Sequence, residues 1–554
     1  MDQFWDHQTK TDCDQPGIRG TIREGYGMSS NRTLKNMVRN CPGIVRPIPP
    51  LSDRSIISVE FDSRNVKPGS IFVAIEGEYY DGHAFIEDAV KKGAALIVGT
   101  QEQYCDQLPD KYLQVEDARI ALAYLSAAYY DFPARKMTII GVTGTDGKTT
   151  TTNLIYHILK CAGFKAGMIS TVNAVIGDES IDTGFHVTTP EAPIVQELLA
   201  HMAAAGITHV VLETTSHGLD QYRVAACEYD IGVITNVTHE HLDYHKTYEN
   251  YVRTKGRLFT MLQETEQKAA GNIRLAVLNK DDCSYPMLKE IVTELHDSLI
   301  RCVEYSRTQT ADIFVLKEEQ TKEGLHLTLQ VAGKEIEINS GLVGTYNVSN
   351  ILAAVGATAL GLNIAPQWVQ QGIEGFPGIP GRMEKIDLGQ PFTAIVDFAH
   401  TPNALNVTLE TARHLTDKKV IVVFGSAGLR DREKRKIMAA EGVQSADVCI
   451  LTAEDPRTER LEDILGEMRQ AAQVAGGILE KDLFVIPDRG NAIKKAVQIA
   501  EKGDLVIVCG KGHEQSMCFE KTEYPWDDRI AMKAALAELL RIDGPTMPYL
   551  PTQD

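Results

Sequence analysis

The chain has 554 residues, more than one hydrophobic core can serve, so two to four domains are expected. Hydrophobic residues make up 43% and charged residues 24%, as in soluble globular proteins, and a net charge of −19 argues against sequence-independent binding to nucleic acid, which needs a basic surface. Ten cysteines without a C-x-x-C pair fit a reducing compartment, no apolar run is long enough for a membrane span, and "MDQFWDHQTKTDCDQPG" has no signal-like apolar core, so the expectation is a cytoplasmic chain.

Residues 1–50 are polar, rich in Gly, Pro, Asn and Arg, and end in "CPGIVRPIPP". They read as a flexible or loosely docked N-terminal extension. In 51–135, "ISVEFDSRNVKPGSIFVAI" offers two short strands split by a turn, and "DGHAFIEDAVKKGAALIVG" reads as helix, Gly stop and buried strand. This predicts a small N-terminal α/β domain.

A second α/β region covers 136–378. Its strand candidates "MTIIGV", "HVVLETT", "IGVITNV" and "LAVLNK" alternate with helices, which implies a mainly parallel sheet covered on both faces. The first strand runs into "TGTDGKTTTTNLIYHIL". Gly144 and Gly147 allow a sharp turn with bare amide N–H groups, and the following helix presents its N-terminus, a combination that suits phosphate. Lys148 adds a cation, and the Thr149 hydroxyl suits Mg²⁺. The pattern G-x-x-x-x-G-K-[ST] is not met, because Val142 stands at the first Gly, so this is a variant phosphate loop; the plain alternative is a strand–turn–helix corner.

Two further groups stand in this region. Glu213 ends an apolar strand in "LETTSHGLDQYRV", and "THEHLDYH" packs His239, Glu240, His241, Asp243 and His245 together. The spacing admits zinc, magnesium, or exposed histidines with no ligand role; the neighbouring phosphate loop and Glu213 point to Mg²⁺.

The third region, 379–554, follows a Pro/Gly cluster. Strands "FTAIVDFA", "KVIVVFG", "DVCILTAE", "DLFVIP" and "DLVIVCG" alternate with helices, as in a doubly wound Rossmann-like fold. Its functional tips are "AHTPNAL", "GSAGLRD", "EDPRTE" and "GKGHE". The arginines of "GLRDREKR" and "EDPR" could clamp a carboxylate in bidentate fashion, or form a solvated basic turn.

The order and spacing of "DSRNVKPGSIFVAIEG", "GVTGTDGKTTT", "TTPEA", "ETTSHGL", "NVTHEHLDYHKTYENYVRTKGRLF", "GTYNVSNILAAVGA", "PGIPGRME", "VDFAHTPNAL", "FGSAGLRDREKR", "EDPR" and "GKGHE" resemble the Mur ligase superfamily, in particular its UDP-N-acetylmuramoyl-tripeptide synthetases. The resemblance covers about 56 to 540. It implies a small N-terminal α/β domain, a central P-loop-type domain with a mainly parallel sheet, and a C-terminal doubly wound domain. It also implies an ATP- and Mg²⁺-dependent ligase of peptidoglycan precursor synthesis. In such enzymes a carboxylate takes the γ-phosphoryl group of ATP, and the acyl phosphate is captured by an amino acid's amine. The expected partners are a UDP-N-acetylmuramoyl dipeptide and a free amino acid, and the expected state is a monomer.

By the same resemblance, Thr143, Gly144, Thr145, Asp146, Gly147, Lys148, Thr149 and Thr150 hold ATP phosphates, with Asn279, Arg382, Asp397 and His400 also at the nucleotide. Thr149, Glu213, His241 and Lys255 form the magnesium group, and Lys255 matches a lysine carbamylated to N6-carboxylysine. Lys148, Glu213, His241 and Lys255 are the expected catalytic residues. Ser63, Thr188, Thr189, Thr215, Gln221 and Arg223 are expected at the UDP-sugar peptide. Arg430, Glu454, Asp455, Pro456, Arg457, Gly510 and Glu514 are expected at the amino acid.

This sequence departs from the family pattern in places. Thr215 replaces a serine and keeps its hydroxyl, and Val187 replaces an amide side chain. Glu454 and Asp455 replace Asp and Asn of the diaminopimelate-reading tip, Leu429 replaces an acid, and Ala427 a glycine. Arg457 is present, so meso-diaminopimelate is the expected acceptor. The alternatives are a paralogue that joins L-lysine or another amino acid or acts in a specialised pathway, and a non-catalytic ATP-binding protein. The domain carrying "DSR" argues against the folate branch of the superfamily.

Overall fold

In this computed structural model the described residues are 32–46, 53–77, 80–177, 179–181, 188–238, 240, 242–295 and 299–552. Four short parallel strands come first: β1 (Val59–Glu60), β2 (Ile71–Val73), β3 (Leu96–Gly99) and β4 (Tyr112–Gln114), paired in that order. Helix Ala118–Tyr129 packs on them. Asp117 caps it by accepting from Arg119 N and Ile120 N at 2.7 and 3.1 Å, which satisfies two of the amides a helix start leaves open.

Part of the expected flexible extension is packed instead. Helix Leu34–Arg39, capped by Thr33, buries Leu34, Met37 and Val38, and Cys41 just beyond it is buried with them, in the same core as Ile71, Leu96 and Leu122. Those four apolar residues follow i, i+3, i+4, i+7 spacing, one face of a helix, and their burial outweighs the polar composition around them. Residues 1–31 lie outside the described residues.

The second sheet is built on β5 (Thr138–Thr143). It also contains β6 (Ala166–Ile169), β7 (Ala174–Ile176), β8 (Glu179–Ile181), β9 (His209–Glu213), β10 (Ile231–Ile234), β11 (Leu275–Asn279) and β12 (Arg301–Ser306), and it continues beyond β12 into three further strands. These eight run β12-β11-β10-β5-β9-β6-β7-β8, parallel except for the antiparallel edge formed by β7 and β8. All four residues of β10 and five of six in β5 are buried, as a strand covered on both faces requires. Buried Lys268 fixes where β5 and β10 begin. Its Nζ donates to Met137 O, Glu228 O and Asp230 Oδ2 at 2.9, 2.8 and 2.6 Å, and Asp230 Oδ2 also accepts from Ile139 N at 2.8 Å.

The chain divides into two compact units: 1–316 with 328–336 and 349–373, and 317–327 with 337–348 and 374–554. Strands β13 (Ile313–Gln320), β14 (Leu325–Val331) and β15 (Lys334–Ser340) are divided between them.

The second unit has its own sheet of β16 (Glu384–Lys385), β17 (Thr393–Asp397), β18 (Val420–Phe424), β19 (Val448–Leu451), β20 (Leu483–Val485) and β21 (Leu505–Cys509). The order is β16-β17-β21-β18-β19-β20, with only β16 antiparallel. The four tips singled out in the sequence follow the carboxyl ends of β17, β18, β19 and β21, where open parallel sheets bind ligands. Fully buried Arg489 ties two of these ends. It donates to Ala453 O (3.1 Å) and Cys509 O (2.8 Å) and pairs with buried Asp528 at 2.7 Å. A hairpin of β22 (Ser516–Phe519) and β23 (Thr522–Pro525) follows.

The nine described cysteines are all free thiols, and Cys41, Cys227, Cys449 and Cys509 are buried. Burial pushes the Cys41 thiol up to about 12 and the other three also upward.

Candidate active site

The phosphate loop leaves β5 at Thr143 and enters helix Lys148–Cys161 through Gly147, which has φ +80°. A Cβ on Gly147 would lie 2.1 Å from Asn350 Oδ1, and one on Gly144 would lie 1.9 Å from Thr235 Oγ1. Glycine is therefore required at both points by close approach, and at Gly147 also by the left-handed backbone. The chain after β10 clamps the loop. Asn236 accepts from Thr145 N on its carbonyl and from Asp146 N on Oδ1, at 2.8 and 2.9 Å, and Thr235 Oγ1 donates to Asp146 O at 2.6 Å. Asn279, at the end of β11, donates to Thr235 O at 2.8 Å and braces the clamp. The helix starts its own ladder with Thr151 N to Gly147 O, so Lys148, Thr149 and Thr150 have no intrahelical acceptor for their N–H groups. That is the arrangement that favours an anion.

Three of the four expected catalytic side chains surround this loop. Lys148 Nζ donates to Gly144 O and Thr145 O at 3.1 and 2.7 Å. Buried Glu213 ends β9, beside β5. Its Oε1 accepts from Thr149 Oγ1 (3.0 Å) and Thr171 Oγ1 (2.9 Å), and its Oε2 from Thr171 N (3.0 Å). Lys255, on helix Tyr248–Glu264, is 1% exposed. Its Nζ donates to Gly144 O at 2.7 Å and lies 4.5 Å from the centre of the Tyr251 ring. Burial, then the neighbouring Lys148, push its amine well below the usual lysine range, against the pull of Glu240 and Asp146. His241, the fourth, lies outside the described residues, as do His239 and Val187.

The expected sugar-peptide residues form a second patch joined to the Glu213 corner. Thr189 Oγ1 donates to Glu213 O at 3.3 Å and accepts from Thr215 N at 2.9 Å. Thr215 Oγ1 caps the short helix Ser216–Asp220 by accepting from Gly218 N at 3.0 Å. Arg223 donates to Thr189 O (2.9 Å) and Gln221 Oε1 (2.7 Å), and pairs with Glu191 at 2.9 Å. Gln221 also lines a polar cavity of about 440 Å³ with Glu76, Arg119, Asp220, Tyr222 and Lys246. Thr188 is half-buried next to Thr189. Ser63 is buried in the turn after β1, where its carbonyl accepts from Lys92 Nζ at 2.9 Å.

In the second unit, the expected nucleotide residues gather at Phe398. The Arg382 guanidinium lies 4.3 Å from the Phe398 ring centre. Asp397 accepts from Met383 N (2.8 Å) and Ala399 N (2.9 Å), and His400 Nδ1 lies 2.9 Å from Phe398 O. Burial pushes His400 down to about 4, helped by the charges of Lys434, Arg382 and Lys511. His513, on the same ring at 4.8 Å, is pushed to about 3 by burial and then by Arg382.

The expected amino-acid residues lie at the ends of β18, β19 and β21. Lys511 Nζ bridges Asp455 (3.0 Å to each oxygen) and Glu514 (2.5 Å), bringing those two acids together. Glu454 is 8% exposed, its Oε2 has no hydrogen-bond partner among the described residues, and burial pushes its carboxyl up to about 7. A Cβ on Gly510 would lie 2.5 Å from Glu454 Oε2. Pro456 is buried, Arg457 half-buried, and Arg430 exposed at the tip of its loop.

The Mur ligase family catalytic domain matches residues 55–130, the Mur ligase middle domain 142–358, and the Mur ligase glutamate ligase domain 381–512. A UDP-N-acetylmuramyl-tripeptide synthetase of Roseiflexus sp. (strain RS-1) is 41% identical over 89% of this chain and 96% of its own. The chain belongs to the Mur ligase family. A UDP-N-acetylmuramoyl-L-alanyl-D-glutamate–2,6-diaminopimelate ligase of Geobacillus thermodenitrificans (strain NG80-2) is 38% identical over 87% of this Mur ligase and 95% of its own length. A solved structure of a ligase of that name superposes with a TM-score of 0.64 at 28% identity, covering 90% of this chain and 98% of the other. As a Mur ligase the chain is an amide-bond-forming enzyme, and the three-domain α/β architecture expected from sequence is the one found.

Sequence reasoning missed several residues of this Mur ligase that adjoin the expected ones. Thr171, Asn236, Glu191, Phe398, Lys511 and His513 all touch residues that were expected. Asn236 and Phe398 each adjoin a strand end already marked as functional, and Lys511 and His513 lie inside "GKGHE", so position alone could have marked them. Thr171 carries no local signal, because only the pairing of β6 with β9 sets it beside Glu213.

Proposed function

We propose that this Mur ligase joins meso-diaminopimelate to UDP-N-acetylmuramoyl-L-alanyl-D-glutamate in the cytoplasm, with ATP as the energy source. The observation that carries this reading is the convergence of Lys148, Thr149, Glu213 and Lys255 on one phosphate loop. The proposed division of labour is 51–135 and the Thr189–Arg223 patch for the UDP-sugar peptide, 136–378 for ATP, and 379–554 for the amino acid. The names of the Geobacillus relatives, and Arg457 at the strand-end tip, support the acceptor.

The donor set fits magnesium. Thr149 and Glu213 offer hard oxygens beside open helix amides, and His241 with a carbamylated Lys255 would complete the group. Bound there, the ion would neutralise phosphate charge. The chain's own residues do the positioning. Loop amides and Lys148 hold the phosphates, so that transfer to the substrate carboxylate needs little covalent help from protein. Burial, and then the neighbouring Lys148, push the Lys255 amine well below the usual lysine range, which favours the neutral form that adds carbon dioxide. Arg457 and Arg430 would grip carboxylates of the acceptor, leaving its amine to attack the acyl phosphate and expel phosphate.

The test is phosphate release from purified protein with ATP, Mg²⁺ and UDP-N-acetylmuramoyl-L-alanyl-D-glutamate, scanning meso-diaminopimelate, L-lysine and L-ornithine. Stimulation by diaminopimelate alone is expected. Stimulation by a different amino acid overturns the acceptor, and no stimulation by any overturns the dipeptide substrate.

A further inference from the structure

Two loops carry the arginines proposed to read the acceptor: 425–431 after β18 and 454–459 after β19. Three non-glycine residues in them hold a left-handed backbone: Leu429 (φ 56°), Asp455 (φ 39°) and Arg457 (φ 54°). Such strain persists only where the surroundings impose it, and it gathers at ligand-handling sites. Asp455 is held by Lys511 and by Cys518 N (2.9 Å), and Arg457 by its backbone bonds to Cys518 O (3.1 Å) and from Glu520 N (2.8 Å). Leu429 is different. Its side chain is 64% exposed, so packing does not fix it.

What fixes Leu429 is a carboxylate from the other loop. Glu459 Oε2 accepts from Leu429 N at 2.9 Å. The same carboxylate takes both terminal nitrogens of Arg435, at 2.8 and 3.0 Å, from helix Arg432–Ser445 that follows the first loop. The Arg435 side chain is fully buried, and Glu467 lies 3.5 Å from its Nη1. A backbone bond from Gly428 N to Asp455 O at 2.9 Å completes the lacing. The Arg435 hydrogen bonds hold the Glu459 carboxyl down at about 2, so it stays charged across the physiological range.

We propose that Glu459 and Arg435 are a positioning pair for the amino-acid substrate, a clasp that sets the Leu429 backbone and so aims Arg430 and Arg457 together. This rests on the reading that the second unit binds the acceptor. An arginine reading a carboxylate works only when its fork is held near the productive geometry. Arg430 directly follows the strained residue, and Arg457 lies two residues before Glu459. The pair touches no substrate; it acts through those loops.

The test is steady-state ligation by the full chain with each substrate varied in turn. Glu459→Gln keeps the shape and removes the charge. It is expected to raise the acceptor KM about tenfold, while kcat at saturating acceptor and the KM values for ATP and the UDP-sugar stay within about twofold. Adding Leu429→Gly to it should bring the acceptor KM back to within about threefold of wild type, because glycine takes the left-handed backbone freely. Should Glu459→Gln fail to fold, Glu459→Asp keeps the charge but draws the carboxylate back from Leu429 N by one methylene, and it carries the same tenfold expectation. An unchanged acceptor KM in the folded variant, an equal loss for all three substrates, or no recovery in the double variant overturns the clasp. Arg457→Ala separates the two layers. An acceptor KM unmoved by Arg457→Ala removes the acceptor site itself, and one raised by Arg457→Ala but not by Glu459→Gln removes the clasp alone.

Discussion

Gly147→Ala strikes the phosphate loop at its tightest point. Alanine in a left-handed backbone costs about 1–2 kcal/mol. The new Cβ would also lie 2.1 Å from Asn350 Oδ1, and Asn350 is only 4% exposed, so its amide must swing away within a packed site. Disturbing a buried hydrogen-bonding group costs about 1–3 kcal/mol. The sum is about 2–5 kcal/mol, or roughly 30- to 5000-fold in an equilibrium constant. If the loop keeps its shape, the cost falls on stability; if it relaxes, on nucleotide affinity. Urea unfolding and titration with a fluorescent ATP analogue, on the same preparation, capture both. Gly163→Ala is the control. Gly163 ends the same helix with φ +82°, and no described atom lies within 4 Å of a Cβ there, so the change should cost about 1 kcal/mol in stability and leave nucleotide affinity alone. If Gly147→Ala matched Gly163→Ala in both measurements, the close approach to Asn350 would play no part in shaping the loop.

Lys255→Ala should be nearly inactive but partly restored by a small added carboxylate, measured as turnover against formate or acetate concentration; full activity without additive would remove the carbamate role. Glu454 is held neutral up to about pH 7 in the folded chain, so it contributes stability below its ordinary carboxylate value that is lost as pH rises through about 7. Glu454→Gln should therefore gain on wild type between pH 5 and 8, by at most about 3 kcal/mol, and a pH-independent difference in unfolding midpoints would contradict this. Arg489→Met leaves buried Asp528 without its guanidinium, and two strand-end carbonyls lose a donor, so a loss of about 3–5 kcal/mol in urea unfolding is expected; under 1 kcal/mol would show that other groups satisfy them.

The parallel sheets were legible because "TIIGVT", "IGVI" and "LVIVC" are short, apolar and separated by helical stretches, the pattern of strands buried on both faces. Glu213 was legible as the polar end of such a strand. The helix Leu34–Arg39 was not read, because its apolar face is one turn and a half long and sits in a Pro- and Asn-rich setting where composition dominates. Thr171 and Glu459 were beyond reach for another reason. Each matters through a partner far away in sequence, Glu213 from 42 positions off and Leu429 from 30, and only strand order brings them together. Glu454 and Asp455, in place of Asp and Asn, add one negative charge to this tip. In the fold Asp455 is neutralised by Lys511, and Glu454 is buried and protonated more readily than an ordinary glutamate.

The buried thiols give the protein an internal clock for local opening. Cys41 and Cys227 sit in the first unit, and Cys449 and Cys509 in the second. Each is shut away from solvent and held in its unreactive protonated form, so a thiol reagent reaches it only when the surrounding structure opens. Labelling rates followed peptide by peptide therefore time the breathing of each unit separately. With substrates added one at a time, the same four sulfur atoms report which unit each substrate quiets.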